Sequence, residues 1–312
     1  MELYKARNFS AMFQDTFAFL KQNGKHFFKY FFIVNGIFVL IMLVLGYFFM
    51  KFYSQILFGG LLQNNTNAVD DFMNQNGGLF LLLSIIFIAI ALLASVIQYA
   101  FIPIYLKIYR QKKGVDFGTK EIVNLYKENV SKIFIYLLCA IAIGIPLMVV
   151  LGVFSFVLMI TIIGLLLIPV LIGAFSLFYG MTLMEYIEGK RGIWDSFGYS
   201  WTLLTSKFWA AVGNVGLFYL IAYVMQYIVT ILAYVVGMIN MVSGFDNGNV
   251  DAQEVSAIMT VVMLVSFVLA FLIGVIFNTI VLLNQGIVYY SLKEAKENIN
   301  TKSIIDQIGS GE

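Results

Sequence analysis

Apolar residues in this chain are gathered into long blocks separated by short polar segments. Four blocks cover about residues 27–49, 79–106, 208–242 and 258–290, and the stretch 133–184 holds 52 positions without a charged residue. A helix needs roughly 20 apolar residues to cross the hydrocarbon core of a bilayer. The uncharged stretch is therefore long enough for two helices, and the pattern predicts six transmembrane helices.

The turn between the third and fourth of these helices has no charged marker. Gly152 and Gly164 are both candidates for it, and the sequence does not choose between them. Pro146 and Pro169 lie within the two predicted spans. A proline inside a helix removes a backbone hydrogen bond, so both spans are expected to kink there.

Composition supports a helical membrane protein. Of the 312 residues, 61% are hydrophobic and 12% are charged, whereas soluble domains have about 45–50% apolar and about 25% charged residues. Barrel strands alternate apolar and polar positions over roughly ten residues, which these continuous blocks do not. The first apolar block is too long for a signal peptide. We expect an all-α, polytopic integral membrane protein with one membrane domain over residues 1–312.

Basic residues are distributed unequally between alternate loops. With six spans, 18 of the 19 Lys and Arg residues fall on one side and only Lys51 falls on the other. Basic residues accumulate in short cytoplasmic loops. The pattern predicts that both termini and the loops 107–132 and 186–207 are cytoplasmic, in a bacterial inner membrane. The opposite loops carry acidic residues, namely Asp70, Asp71, Asp246, Asp251 and Glu254.

A short amphipathic segment precedes each pair of spans. The first begins at Asp15-Thr16-Phe17 and ends at Lys25, and the third begins at Asp195-Ser196-Phe197 and ends at Lys207. The second, from Glu121 to Lys132, matches less closely. Three parallel hairpin repeats are therefore predicted, each preceded by an amphipathic interfacial helix and related by an axis along the membrane normal. The repeats cover residues 8–106, 116–186 and 194–292, followed by a cytoplasmic tail over 293–312.

Apolar residues in these segments recur at helical spacing. In the third segment the stripe is Trp194, Phe197, Trp201, Leu204 and Phe208. Such a stripe with basic ends is typical of a helix that lies in the membrane interface; the alternative is a cytoplasmic collar of helices packed against one another. Trp194, Trp201 and Trp209, the three tryptophans of the chain, are expected at one membrane edge, where aromatic belts form.

The acidic-Thr/Ser-Phe entry segments and the six spans resemble bacterial six-span membrane families of uncharacterised function. The resemblance is closest to the membrane domain fused to some glycerophosphodiester phosphodiesterases and to its stand-alone relatives, and it covers nearly the whole chain. It implies a fold and a membrane setting. It transfers no catalytic residue, because the fused proteins carry their chemistry on a separate soluble domain that this chain lacks.

Residues that usually carry catalysis are scarce. His26 is the one histidine and Cys139 the one cysteine, which cannot supply the ligand set of a zinc site. No nucleophile elbow and no Gly-rich phosphate loop occur. No catalytic, cofactor-binding or metal site is predicted. The candidate membrane-edge carboxylates are Glu185 and Glu188, beside Lys190 and Arg191, and a solvated, ion-paired face is the simpler interpretation of them.

Five polar residues fall inside the predicted spans, where polar groups are costly and usually face the protein interior. These candidate intramembrane polar positions are Asn35, Gln98, Asn214, Gln226 and Asn278. Ala270, Gly274 and Asn278 share one face of the sixth span at a spacing of four, as close helix packing prefers. Hydrogen bonding between helices is the favoured interpretation over a substrate path.

These observations predict a non-enzymatic integral membrane scaffold or partner subunit of a membrane assembly, without a cofactor. The alternative is a transporter or lipid-handling membrane protein. Membrane lipids and other membrane proteins are the expected partners. Anionic lipids account for the basic loop 107–132 more simply than nucleic acid does, so no nucleic-acid partner is expected.

Overall fold

The computed structural model describes residues 1–62, 67–246 and 252–300. Asp251, which is predicted in an opposite loop, lies outside the described residues, as does most of the predicted tail over 293–312.

Helices account for almost all of the described chain. Six of the seven are long and apolar enough to cross a membrane, which confirms the predicted number of apolar helices and a multi-pass membrane protein. The exception is the 14-residue helix α5. In order, the helices are α1 Phe9–Leu62, α2 Ala68–Lys112, α3 Thr119–Met159, α4 Ile162–Glu188, α5 Ile193–Ser206, α6 Phe208–Asp246 and α7 Ala252–Glu297.

The three amphipathic segments are not all separate helices. The first continues into its span as part of α1, and the second does so as part of α3. Only the third forms its own helix, α5, which is followed by Lys207 in a non-helical conformation. The prediction of a separate entry helix is therefore wrong for the first two segments, because no residue there interrupts the run of helical hydrogen bonds.

The turn between α3 and α4 lies at Ile160 and Thr161, so neither candidate glycine forms it. The Thr161 hydroxyl caps α4 by accepting a hydrogen bond from the Gly164 amide at 2.9 Å. A Cβ atom at Gly164 would overlap the backbone of Leu158. Gly164 therefore allows the close approach of the two helix ends without being the turn itself. Both α3 and α4 continue as helices through Pro146 and Pro169.

The described chain divides into two compact units that do not follow the predicted repeats. We call the first the charged unit and the second the apolar unit. The charged unit comprises residues 1–34, 96–221 and the described residues from 278 onward. The apolar unit comprises the described parts of 35–95 and 222–277.

In the charged unit, aromatic side chains from α1 and α2 form a continuous core. Phe19, Phe27, Phe101 and Tyr105 are fully buried, and the Phe27 and Tyr105 rings meet edge to face with centroids 5.1 Å apart. Such edge-to-face contacts add to the free energy of burial. This core fixes the N-terminal part of α1 against the C-terminal part of α2.

Two glycines allow α4 and α6 to touch through their backbones. A Cβ atom at Gly173 would lie 3.0 Å from the Gly216 amide nitrogen, and one at Gly216 would lie 3.3 Å from the Val170 Cα. Small residues are common where membrane helices pack at short range. The contact places α4, which carries Glu185 and Glu188, firmly against α6.

The apolar unit has its own aromatic cluster between α1 and α2. Phe52 and Phe72 are buried, with ring centroids 5.3 Å apart, and Phe80 stands edge to face against Phe72. The Phe267 ring of α7 occupies the space that a side chain at Gly46 of α1 would need. Ring packing therefore holds α1, α2 and α7 together in this unit.

Candidate functional site

The end of α4 carries a fully buried ion pair. Glu185 and Lys293, from α4 and α7, have side chains that are 0% exposed, and Lys293 Nζ lies 2.6 Å from Glu185 Oε2. The Tyr289 hydroxyl, also buried, donates to the same carboxylate oxygen at 2.6 Å, and Lys293 donates to the Tyr289 oxygen at 3.0 Å. Tyr289 and Lys293 are one turn apart on α7, so one helix face supplies both donors.

The second oxygen of Glu185 pairs with the loop after α4. Arg191 Nη1 lies 2.5 Å from Glu185 Oε1, and its Nη2 lies 3.4 Å from Glu297 Oε1. The Tyr199 hydroxyl of α5 donates to the same Glu297 oxygen at 2.5 Å, and the Arg191 guanidinium lies 3.7 Å from the centre of the Tyr199 ring. Burial, together with Glu297, raises the pKa of Tyr199, so its hydroxyl stays protonated as a donor.

Glu188, one turn after Glu185 on α4, has a second set of partners. Arg110 Nη2 of α2 lies 2.8 Å from Glu188 Oε2, and the Glu188 side chain is 4% exposed. The buried Tyr290 hydroxyl donates to Glu188 Oε1 at 2.8 Å. Arg110 also lies over the ring of Tyr4 in the segment before α1. Neighbouring tyrosines on α7 therefore serve the two carboxylates separately.

We call these groups together the ionic cluster. Its members are Tyr4, Arg110, Glu185, Glu188, Arg191, Tyr199, Tyr289, Tyr290, Lys293 and Glu297. Three carboxylates face three cations, so the cluster is formally neutral. A buried charge is tolerated when it is paired and hydrogen-bonded, and removing one partner of a buried pair typically costs about 3–5 kcal/mol.

Basic side chains from two other helices cap the same end of α4. Lys107 Nζ of α2 donates to the Ile187 carbonyl at 2.6 Å, and Lys132 Nζ of α3 donates to the Tyr186 carbonyl at 3.2 Å. Gly189 ends the helix in the left-handed conformation with φ of 83°, which glycine adopts without steric cost. Cations at a helix C-terminus also interact favourably with its dipole.

A second polar group, which we call the amide cluster, lies between α1, α6 and α7. Asn284 and Asn214 are 0% exposed. Asn284 Nδ2 donates to Asn214 Oδ1 at 2.7 Å and to Thr16 Oγ1 at 2.9 Å. Asn214 Nδ2 in turn donates to the Phe9 carbonyl at 3.0 Å. Hydrogen bonds between neutral groups therefore join the three helices, and none of these groups titrates.

Gln285, the next residue of α7, joins a third polar group with α4 and α6. Its Nε2 donates to Ser176 Oγ at 2.7 Å, and the Tyr219 hydroxyl donates to the same oxygen at 2.7 Å. Gln285 Oε1 is buried without a hydrogen-bond partner. It borders a cavity of about 10 Å³ beside Tyr99 and Gly180, which is close to the minimum volume for one water molecule.

The five predicted intramembrane positions have different environments. Asn35 and Asn214 are buried, at 2% and 0% exposed, and Gln98 is half-buried with its Nε2 lacking a partner. Gln226 and Asn278 are exposed, and an interior position for them stays a prediction. Gln226 lies across Gly274. Asn278 lies two helical turns before Gln285 on the same side of α7, and only Gln285 is enclosed.

The carboxylates Glu185 and Glu188 are ion-paired, but they do not form a solvated face. Burial of both corrects that interpretation, and Lys293, which was assigned to a tail, lies inside α7. Arg110, Tyr289, Tyr290 and Lys293 were not expected as partners of these carboxylates. Tyr289, Lys293 and Glu297 recur at a spacing of four, which is the signal that could have placed them on one helix face.

His26 and Cys139 do not approach the ionic cluster through any contact of the described residues. Both ring nitrogens of His26 are engaged, with the Tyr105 hydroxyl at 2.8 Å and the Phe117 carbonyl at 3.0 Å. Cys139 is a free, partly exposed thiol. Among the described residues, no group of three or more His, Cys, Asp or Glu side chains is arranged to hold a metal ion.

Comparison with known proteins gives no match: neither a protein-family model, nor a curated protein, nor a solved structure is similar to this chain.

Proposed function

We propose that this chain is a non-enzymatic integral membrane protein that acts as a scaffold or partner subunit in a membrane assembly. The observation that carries the proposal is the ionic cluster. Glu185 and Glu188, the carboxylates best placed for chemistry, each accept hydrogen bonds from a cation and a tyrosine. A catalytic acid or base needs a substrate proton within hydrogen-bond reach. These carboxylates instead use their oxygens to accept hydrogen bonds from other members of the ionic cluster.

The setting that we propose is a bacterial inner membrane with both chain ends cytoplasmic. Its support is the accumulation of 18 of 19 basic residues on one side. In a Cys139→Ser background, a cysteine placed at Asp116 should be protected from an impermeant thiol reagent in intact cells, whereas one at Asp70 should react. Both positions are exposed. Labelling at Asp116 with protection at Asp70 would reverse the orientation.

The exposure pattern of α5 supports a position for this helix at the membrane interface. Phe197, Leu203 and Leu204 are buried against the charged unit. Trp194 and Trp201, which the sequence places on the same stripe as Phe197, are instead 63% and 61% exposed. The stripe is therefore shared: one edge packs on protein, and the other presents indole rings that suit the headgroup region.

The three-repeat architecture remains a proposal with mixed support. Glu121 and Asp195 both lie in the first turn of their helices, as matched entry segments should. Asp15 instead lies in the second turn of α1 and pairs with the buried Arg7 at 2.7 Å. Superposition of the three helical hairpins about one axis in an experimental structure would establish the repeat.

Paired substitution tests the function itself. Glu185→Gln with Lys293→Met removes one buried charge pair, and Glu188→Gln with Arg110→Met removes the other, so neither leaves a single buried ion behind. In a strain that lacks the protein, both double variants should restore the phenotype when they reach the membrane in normal amounts. Failure by a correctly folded double variant would show that the carboxylates carry an activity.

The transporter or lipid-handling alternative is favoured by one observation, a cavity in the apolar unit. It has few polar groups, which argues against ions and polar solutes as its contents.

A further inference from the structure

A cavity of about 470 Å³ lies within the apolar unit, lined by residues of α1, α6 and α7. Its volume falls within the range of about 300–1,000 Å³ that is usual for sites of small ligands. All lining residues belong to this one unit. None of them takes part in the ionic cluster.

The lining is apolar and deformable. Four of the chain's 14 methionines, namely Met50, Met238, Met259 and Met263, lie around this one cavity. Methionine is unbranched and polarisable, so it fills irregular space and adapts to flexible apolar ligands. The small residues Ala233, Gly237 and Ala270 also line the cavity, and their short side chains leave space in it.

The hydroxyls inside the cavity are already used. Thr230 donates to the Gln226 carbonyl at 3.0 Å, and Ser266 donates to the Val262 carbonyl at 2.5 Å, each within its own helix. A polar ligand would lose its hydration without gaining these donors. The remaining polar groups are the hydroxyls of Tyr53 and Tyr234, whose residues are 54% and 70% exposed. They mark the open side of the cavity.

A membrane offers two kinds of apolar occupant for this cavity, a transmembrane helix and a lipid acyl chain, and they differ in size. A transmembrane helix about 30 Å long and 10 Å wide occupies more than roughly 2,000 Å³, several times the cavity volume. A lipid acyl chain is only one methylene wide and can enter from the side where Tyr53 and Tyr234 are exposed. An apolar chain is favoured in this space because the lining of α1, α6 and α7 is mostly apolar and offers burial.

We propose that this cavity is a binding site for a single acyl chain of a membrane phospholipid. The methionines and small residues contact the chain, and Tyr53 and Tyr234 lie where the chain leaves the cavity. The inference goes beyond the scaffold role and does not depend on it. A lipid held here would be a built-in component of the apolar unit.

Native mass spectrometry of the protein in mild detergent tests the proposal. Ala233→Phe and Ala270→Phe together place two rings in the cavity. Val235→Phe and Leu269→Phe are the matched control, because these residues are 46% and 48% exposed and do not line the cavity. The native chain and the control should each retain one phospholipid. The cavity-filling variant should lose it about tenfold or more readily, because each excluded methylene removes favourable burial.

A phospholipid with a photoreactive group in its acyl chain locates the site. In vesicles of this lipid, peptides that contain Met259 and Met263 should be labelled in the native chain and the control, and about tenfold less in the cavity-filling variant. Thermal unfolding of all three proteins checks that they are folded. Equal lipid retention and labelling in the folded cavity-filling variant would overturn the proposal.

Discussion

The charged unit and the apolar unit exclude water by opposite means. The charged unit buries Glu185 and Lys293 completely, and the two residues form an ion pair. The apolar unit relies on rings such as Phe52 and Phe72, and it keeps a cavity among methionines. Paired charges specify one geometry, because any other leaves an ion uncompensated. Dispersion contacts tolerate rearrangement, so the apolar unit can adapt to a lipid while the charged unit cannot.

Breaking the buried ion pair is the largest change that we predict. Lys293→Met should lower the free energy of unfolding by about 3–5 kcal/mol, because Glu185 then remains buried with one cation fewer. Titration with a denaturing detergent in mixed micelles measures it. Lys296→Met, at an exposed position in the last turn of α7, is the control and should change stability by less than about 0.5 kcal/mol. Equal effects would show that Lys293 is not held in a specific pair.

The contact between α4 and α6 comes next. Gly216→Leu should destabilise the charged unit by about 1–3 kcal/mol or more, because its Cβ meets the backbone of α4. Gly198→Leu on α5 is the matched control, since no atom outside its own helix turn lies within 4 Å of a Cβ there. That control should gain up to about 1 kcal/mol from helix propensity. A neutral Gly216→Leu would show that the two helices are not in backbone contact.

Replacement of polar residues on α7 separates enclosed from exposed positions. Asn284→Leu should cost about 1–3 kcal/mol, because Asn214 Oδ1 loses its donor inside the charged unit. Asn278→Leu should be neutral or slightly stabilising in a membrane, since Asn278 is exposed. Thermal unfolding in detergent compares them. A larger loss at Asn278 would restore the original expectation from sequence.

Tryptophan fluorescence quenching tests the position of α5 relative to the membrane, without a change in stability. The chain has three tryptophans, and Trp194 and Trp201 on α5 and Trp209 at the start of α6 are all exposed, so tryptophan fluorescence reports on α5 and the start of α6. In vesicles, bromine atoms near the lipid headgroup should quench it more strongly than bromines deep in the acyl chains. Quenching by aqueous iodide with neither lipid quencher effective would favour a collar of helices in water.

The membrane-length helices could be predicted from the sequence, whereas the contacts of the ionic cluster could not. Apolar blocks fix the number of membrane-length helices because a bilayer demands a minimum length. They do not reveal that Arg110, Glu188 and Tyr290 meet, since these residues come from three helices far apart in sequence. The basic residues were counted for orientation, which hid the fact that Lys293 is buried. Gln226 and Asn278 are exposed, and a polar residue in a span indicates a polar contact without showing which face is enclosed.

The central claim is that the ionic cluster is a structural lock, and a double-mutant cycle on Glu185 and Lys293 tests it most directly. Glu185→Gln and Lys293→Met are made singly and together, and the free energy of unfolding is measured for all four proteins. A lock predicts that each single variant loses about 3–5 kcal/mol and that the double variant loses less than either, because no uncompensated ion remains. A double variant that loses the sum of the two single effects would show that the residues act independently, and the account would be wrong.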